Sequence, residues 1–213
     1  MNENITEHIH SVLPNNATEI EKTKTLNNEV LIVEEVHLND IWSYYFHDPN
    51  DDNWSLTSYI RMHNVSTVQD FWNIHLSVKD KLKNGMFFIM REHVFPCWDD
   101  SSNINGGCLS IKVLKENLVD YWEALCIKLL GETLLVDKNK NQWDVINGIS
   151  TSPKRYFCIV KIWLSTNEFD DKKYFNVPDD FYGDIIYRQN IENIQKNNET
   201  DNVTENIGDK HKH

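Results

Sequence analysis

The 213-residue chain has no apolar run approaching the roughly 18 residues of a membrane helix, which excludes a helical membrane span. Its first ten residues, MNENITEHIH, carry acids and no apolar stretch, so they do not read as a signal peptide. Cysteine is scarce. Cys97, Cys108, Cys126 and Cys158 lie far apart with no C-x-x-C pair, which speaks against a zinc ribbon or a disulfide framework and suits a reducing cytosol. Glycine numbers seven and proline five, and none of the glycines forms a P-loop or a dinucleotide fingerprint. G-x-S-x-G and H-E-x-x-H are missing as well, and the nine histidines are scattered, so no enzyme, metal or cofactor is expected. N-x-[ST] triplets at Asn4, Asn53 and Asn202 read as a by-product of Asn-rich composition. Basic residues are outnumbered 21 to 33, a net charge of −12. That excludes a grip on nucleic acid by broad phosphate neutralisation, but not the reading of a single nucleotide.

What is present suffices for one packed domain: 40% hydrophobic and 25% charged residues. The ends differ from the middle. Residues 1–35 hold seven acids and two lysines, and residues 190–213 hold five acids and three lysines. Both read as loosely attached acidic or polar tails. The domain at 36–189 then keeps 21 acids and 16 bases, a net charge of −5. Strands are expected at Val36–Phe46, Ser58–Val65, Met86–Glu92, Cys108–Leu114 and Asp184–Arg188, with a hairpin of Trp143–Ile149 and Tyr156–Leu164 around the loop STSPKR. Ser66 or Thr67 is placed to cap a helix through Val68, Phe71, Trp72 and Leu76, with Asp70 in its first turn. Leu118, Tyr121, Trp122, Leu125 and Leu129 repeat at helical spacing over about Glu116–Leu130, with Gly131 at the end. The fold class is α+β: one curved, mostly antiparallel sheet with few helices.

Seven tryptophans are the informative feature. Trp42, Trp72, Trp122 and Trp163 sit among apolar residues and read as core. Trp54, in NDDNWSLT, and Trp98, in FPCWDDSS, sit in polar segments beside paired aspartates. Either these loops fold inward or the rings are a recognition surface. Two indoles with neighbouring carboxylates suit a flat or compact cation: the ring face attracts positive charge, and a carboxylate accepts N–H donors from the ligand edge.

The order of short motifs resembles the eukaryotic translation initiation factor 4E family, which binds the messenger-RNA 5′ cap. The matching pieces are HL-x3-W-x2-Y-F at His37–Phe46, Trp54 after its acidic turn, and STVQDFW at Ser66–Trp72. P-x-W-D at Pro96–Asp99, the pair Gly106–Gly107, L-x2-Y-W through L-L-G-E at Leu118–Glu132, and VKIW at Val160–Trp163 complete the set. The resemblance implies helices on the convex face of the sheet and a cap slot on the concave one. Positively charged 7-methylguanine would lie between Trp54 and Trp98. Asp99 would accept its edge N–H groups, the Trp98 backbone N–H would meet O6, and Trp163 would touch the methyl group.

The chain departs from the family pattern at several points. Asp99 stands for the usual Glu, so Asp100 is expected to assist or the loop to sit closer. Cys108 and Leu109 replace an Arg and a Trp, and an Arg expected near Ile149 is absent. The replacement cap-phosphate cations are Lys154, Arg155, Lys161, Lys112 and Arg188. Lys161 lies two residues before Trp163, hence on the same strand face. The resemblance also implies an outer surface for a scaffold or repressor helix of the Tyr-x4-Leu type, with His37, Leu38, Val68, Trp72 and Ile127 in matching positions. There Glu123 replaces an apolar residue and Ala124 an acidic one, so the partner motif is expected to be altered. The expected protein is a monomeric cytoplasmic cap-binding initiation factor. The alternatives are a cap-binding repressor or competitor, a peptide-docking module without cap binding, and a methyl-lysine cage, against which the edge carboxylate and basic hairpin argue. Asn-, Ile- and Lys-rich usage points to an AT-rich genome such as that of a protist or large virus, in which case the compartment is the host cytoplasm.

Overall fold

The computed structural model of the chain describes residues 5–12, 24–26, 29–31, 34–181 and 183–196. Helix α1 is Ile5–Val12, and β1 (Lys24–Leu26) and β2 (Glu29–Leu31) form a short antiparallel ribbon. Strands β3 (His37–His47) and β4 (Tyr59–Thr67) follow, then α2 (Val68–Val78), β5 (Met86–Arg91) and β6 (Gly107–Leu114). Helix α3 (Leu118–Leu130), β7 (Ile146–Pro153), β8 (Phe157–Leu164) and β9 (Ile186–Gln189) complete the order. Seven strands form a single curved sheet in the order β4-β3-β5-β7-β8-β6-β9, and every neighbouring pair is antiparallel. This is the α+β architecture expected from the alternating pattern.

Local chemistry explains the helix boundaries. Thr67 accepts a hydrogen bond from the Asp70 N–H at 3.0 Å, while the Asp70 carboxylate accepts from the Thr67 N–H at 2.9 Å. This reciprocal capping box starts α2 where the sequence indicates. Helix α3 ends at Gly131, whose N–H bonds back to the Ile127 carbonyl at 2.9 Å. The residue in the left-handed region is the next one, Glu132, at φ 53°.

Alternation along the strands sorts side chains onto two faces. Trp42, Tyr44 and Phe46 of β3, Phe87 and Ile89 of β5, and Leu109 and Ile111 of β6 point toward the helices. There they join Phe71, Trp122 and Leu125 in the main core. The opposite, inner face carries a smaller apolar cluster of Tyr45, Phe88, Met90, Val94, Cys108 and Trp163, with Tyr59, Phe95 and Trp98 packed on it. The pair Gly106–Gly107 leads into β6, which runs between β8 and the edge strand β9. A Cβ at Gly106 would overlap the Leu164 carbonyl, and one at Gly107 the Tyr187 hydroxyl. Only glycine lets β6 approach β8 and β9 this closely.

Two expectations change in detail. The hairpin was expected to begin at Trp143 and to loop through STSPKR. Instead Trp143 lies in a 3₁₀ segment, Asp137–Val145, and β7 continues through Pro153, leaving Lys154, Arg155 and Tyr156 as the turn. Ser150 and Thr151 are buried, paired with Phe88 and Phe87 of β5. A strand lying between two others can be polar, because its backbone hydrogen bonds hold it in place. Most of the expected tails, 1–35 and 190–213, lies outside the described residues. Two described parts are packed: Ile9 of α1 is buried in the main core, and residues 190–196 are helical with Asn190 fully buried. No helix among the described residues is long and apolar enough to cross a membrane.

Candidate functional site

The inner face gathers the residues singled out from the sequence. Trp54 lies in the β3–β4 connection and is 52% exposed. Its loop is built from side chains that close on their own backbone. Asp48 accepts from the Asn50 N–H (2.9 Å), Asp51 from the Asn53 N–H (2.9 Å), and Asn53 from the Ser55 N–H (3.0 Å). These are Asx turns, so the acidic run shapes the loop. The Asn50 N–H and the Thr6 hydroxyl hold Asp48 below the usual carboxylate range despite partial desolvation. Under Trp54 lies His47, with ring centres 4.3 Å apart and planes 3° from parallel.

Trp98 is half-buried against the inner cluster. Its loop is braced from inside by Asn103, whose amide donates to the carbonyls of Phe95 (2.9 Å) and Cys97 (2.8 Å). Asn147 donates in turn to the Asn103 side-chain oxygen (2.9 Å), and Asn190 to the Asn103 carbonyl (2.8 Å). Asp100 is spent within the loop: one oxygen accepts from the Ser102 N–H at 2.8 Å, the other from the Phe95 N–H at 3.3 Å. Both Asp100 oxygens thus shape the loop. Asp99 is the exposed carboxylate beside Trp98. Burial and a hydrogen bond to Asp99 push the neighbouring Cys97 thiol up to about 12. Tyr59 and Phe95 (ring centres 4.9 Å apart) pack between the two loops, and Trp54 lies 6.4 Å from Tyr59.

Trp163 is buried on β8, its indole N–H donating to the Ser150 hydroxyl at 2.9 Å. It lies opposite Cys108 on β6, which lies opposite Arg188 on β9. Register thus puts Trp163, Cys108 and Arg188 in one row across the sheet. Lys161 faces the same side. Its ammonium is 5.2 Å from the Trp98 ring centre and 5.8 Å from that of Trp163. Burial lowers its pKa, and the positive charges of Lys154 and Arg188 add to the shift. The other cations stand further along. Lys112 lies over Phe157 (4.4 Å), and Arg155 lies over Tyr156 (4.9 Å) in the exposed turn. Of the five cations named from the sequence, the structure joins Lys161 directly to the tryptophans and places Arg188 beside them.

The outer surface is assembled by α2, α3 and the start of β3. The Val68 N–H donates to the Val36 carbonyl (2.8 Å), and Gln69 bonds both Val36 N–H and the Glu34 carbonyl. These contacts place His37 and Leu38 next to Val68. Trp72 is half-buried, while Leu76 and Ile127 are more than half exposed. Glu123 does not stand alone in this apolar surface: the fully buried His75 holds its carboxylate at 2.9 Å. His75 stacks on Phe71 (5.2 Å, 16°) and meets Trp72 edge-on. Sequence reading missed His75. No local pattern marks it, because its partner Glu123 lies 48 residues further along the chain and meets it only in the tertiary fold.

Burial lowers the pKa of His75, with the Glu123 hydrogen bond and charge opposing. As pH falls, the unfolded chain therefore takes up this proton before the folded one does. Stability is expected to fall from about pH 6.5 downward until folded His75 also protonates, by at most about 1.4 kcal/mol per pH unit. His75→Gln keeps a donor for Glu123 but does not titrate, so its melting temperature should change less between pH 7 and 5 than that of the wild type. Parallel melting profiles would refute this assignment.

Comparison with known proteins places this geometry. The family model described as eukaryotic initiation factor 4E matches residues 37–212, most of the chain. Eukaryotic translation initiation factor 4E-1 of Hordeum vulgare is 24% identical over 161 residues, covering 67% of this chain and 74% of that protein. An initiation factor 4E homolog of Acanthamoeba polyphaga mimivirus is 31% identical over 88 residues, 41% of this chain and 29% of that protein. Among solved structures, C. elegans eIF4E-3 in complex with the 4E-binding protein Mextli superimposes with a TM-score of 0.62 at 18% identity, covering 75% of this chain and 96% of that one. Ascaris suum eIF4E-3 with m7G cap gives 0.56 at 19% identity, covering 65% and 78%. The seven-stranded sheet with its helices on one face, and a family match spanning that sheet, lead to one conclusion: the chain belongs to the eukaryotic initiation factor 4E family.

Proposed function

We propose that this protein binds the 7-methylguanosine cap of messenger RNA between Trp54 and Trp98 and carries the messenger to a scaffold protein that starts translation in the cytoplasm. The observation that carries this reading is the company Trp98 keeps. Its indole packs half-buried on the inner cluster, which holds the ring in place, and the exposed Asp99 carboxylate adjoins it, so a flat cation can stack on the ring while the carboxylate takes its edge N–H groups. Methylation at N7 gives guanine such a charge, and cation–π attraction contributes about 0.5–2 kcal/mol depending on desolvation. Asp99 accepts the edge N–H groups of the base, and Trp163 forms the floor at the methyl group. No bond is made or broken; the chemistry is recognition. Ascaris eIF4E-3 with m7G cap, a structural neighbour, is consistent with this use of the fold.

The phosphates run along the inner face of β8 and β9. Lys161 and Arg188 take the place of the arginines that the family pattern has at Cys108 and near Ile149, with Lys154, Arg155 and Lys112 beyond them. The test is tryptophan-fluorescence titration with 7-methyl-GTP and 7-methylguanosine, with GTP as the unmethylated control. Lys161→Met should reduce affinity for the triphosphate by about fivefold or more while affecting the nucleoside less, because a charge-assisted contact is lost only with phosphate present. Equal losses for both ligands would remove Lys161 from the phosphate path. Quenching by GTP as strong as by 7-methyl-GTP would overturn the cap reading itself.

The outer surface of Val68, Trp72, Glu123 and Ile127, with His37 and Leu38 at its edge, docks an amphipathic helix. One observation favours a second reading, a repressor or competitor. The Glu123 carboxylate held by His75 occupies a position suited to an apolar contact, so a helix of ordinary apolar sequence meets a charge there. A scaffold able to dock must bring a cation or a polar group to that point. Capture experiments that return only repressor-type partners would select the second reading.

A further inference from the structure

A slot of two indoles works only if each ring is held with one face toward the ligand, and in the Trp54 loop a buried histidine does the holding. We propose that His47 is a positioning residue for the cap slot. Its neutral imidazole backs Trp54 from the protein side, leaving the outer face for the base, and protonation of His47 weakens cap binding. The inference rests on the reading of Trp54 as a cap ligand.

The geometry assigns this role. His47 is fully buried while Trp54 is half exposed, so their parallel contact at 4.3 Å covers the inner face of the indole and leaves the outer one open. The same imidazole fixes the backbone beside that ring. Its Nε2 lies 2.9 Å from the Asn53 carbonyl, which can only accept, so Nε2 carries the proton. Nδ1 is then a lone pair, and it is buried with no hydrogen-bond partner. Tyr59 packs tilted beside the imidazole, with ring centres 4.7 Å apart, and lies 6.4 Å from the Trp54 ring.

Protonation would occur at Nδ1 and place a cation against the inner face of the indole. A second cation, the methylated base, would then be drawn less strongly to the outer face, because one ring quadrupole attracts both and they repel each other. The groups around His47 are few. Asp48, next in the chain, is ionised and held by Thr6 of α1 and by Asn50. Tyr59, opposite on β4, is neutral because burial raises its pKa, and the opposite position on β5 is Met86. Asp48 is thus the charged group next to His47.

The experiment combines three variants with a measurement that needs no ligand. Affinity for 7-methyl-GTP is measured at pH 7.5 and 5.5 for wild type, His47→Phe and His47→Ala. The phenyl ring keeps the stack without titrating but gives up the hydrogen bond to the Asn53 carbonyl, so at pH 7.5 His47→Phe should bind more weakly than wild type and more tightly than His47→Ala. His47→Ala should bind several-fold more weakly, as expected for losing an aromatic pair. Between pH 7.5 and 5.5 the wild type should weaken about three- to tenfold more than His47→Phe, and the ligand's own titrations cancel in this comparison. Without ligand, acid should quench wild-type tryptophan fluorescence through the imidazolium, and the step should vanish in His47→Phe and in Trp54→Phe. Cap affinity of His47→Ala equal to or tighter than wild type, or equal acid weakening in wild type and His47→Phe, overturns the proposal. If folded wild type shows no affinity for 7-methyl-GTP at either pH, the cap reading is what fails. The ligand-free quenching step then decides by itself whether His47 and Trp54 act as one unit.

Discussion

Alanine at Trp54 or Trp98 is expected to weaken 7-methyl-GTP binding by roughly 10- to 100-fold in each case, because stacking one base on an aromatic ring is worth about 1–3 kcal/mol. The two losses should differ in their side effects. Trp54 is 52% exposed and rests on His47, so removing it should leave the melting temperature almost unchanged. Trp98 packs on the inner cluster with Phe95 and Tyr59, so Trp98→Ala should also destabilise the fold. Trp98→Phe keeps a ring there and separates the two effects. The selectivity for 7-methyl-GTP over GTP should shrink in both alanine variants, since the positive charge of the base is what the indole faces sense. Unchanged affinity in Trp54→Ala, with the protein folded, would sink the two-indole slot.

Asn103→Ala is expected to have the largest effect of any substitution outside the two faces. The Asn103 side chain is fully buried and makes three hydrogen bonds: it donates to Phe95 and Cys97 and accepts from Asn147. Alanine leaves two carbonyls and one amide without this partner. Each unsatisfied buried group costs about 1–3 kcal/mol, and relaxation recovers part of it. A total loss of roughly 2–5 kcal/mol should appear as a lowered denaturation midpoint. The same substitution releases the backbone on both sides of Pro96, so the Trp98 loop should exchange amide hydrogens faster, and cap affinity should fall although no ligand contact was removed. A variant as stable as wild type, with an unaltered exchange rate over residues 95–100, would show that the loop is held by something other than Asn103.

The same network explains why the packed domain continues past residue 189. Asn190 donates to the Asn103 carbonyl and accepts from the Cys108 thiol, and it is fully buried. Composition alone marks this segment as polar and tail-like, because Asn contributes no apolar signal. Its role depends on an acceptor 87 residues earlier in the chain.

By itself, the sequence determined whatever depends on near neighbours. The capping box of Thr67 and Asp70 sets the start of α2, and the spacing of Leu118, Tyr121, Trp122, Leu125 and Leu129 sets the buried face of α3, since i, i+3 and i+4 share one side of a helix. It also separated Trp42 and Trp122, which are core, from Trp54, which is not. Tertiary structure alone decided the rest. Asp99 and Asp100 are adjacent and chemically alike, and only the path of the loop backbone spends Asp100 on the Ser102 and Phe95 amides while leaving Asp99 exposed. Five cations could have served phosphates. Strand register turned Lys161 onto Trp98 and Trp163, brought Arg188 opposite Cys108, and left Arg155 in an exposed turn. His75 and Glu123 stand 48 residues apart and meet because two helices pack on one sheet. A side chain's partner across such a distance follows from which faces the whole chain buries together, and no local pattern encodes it.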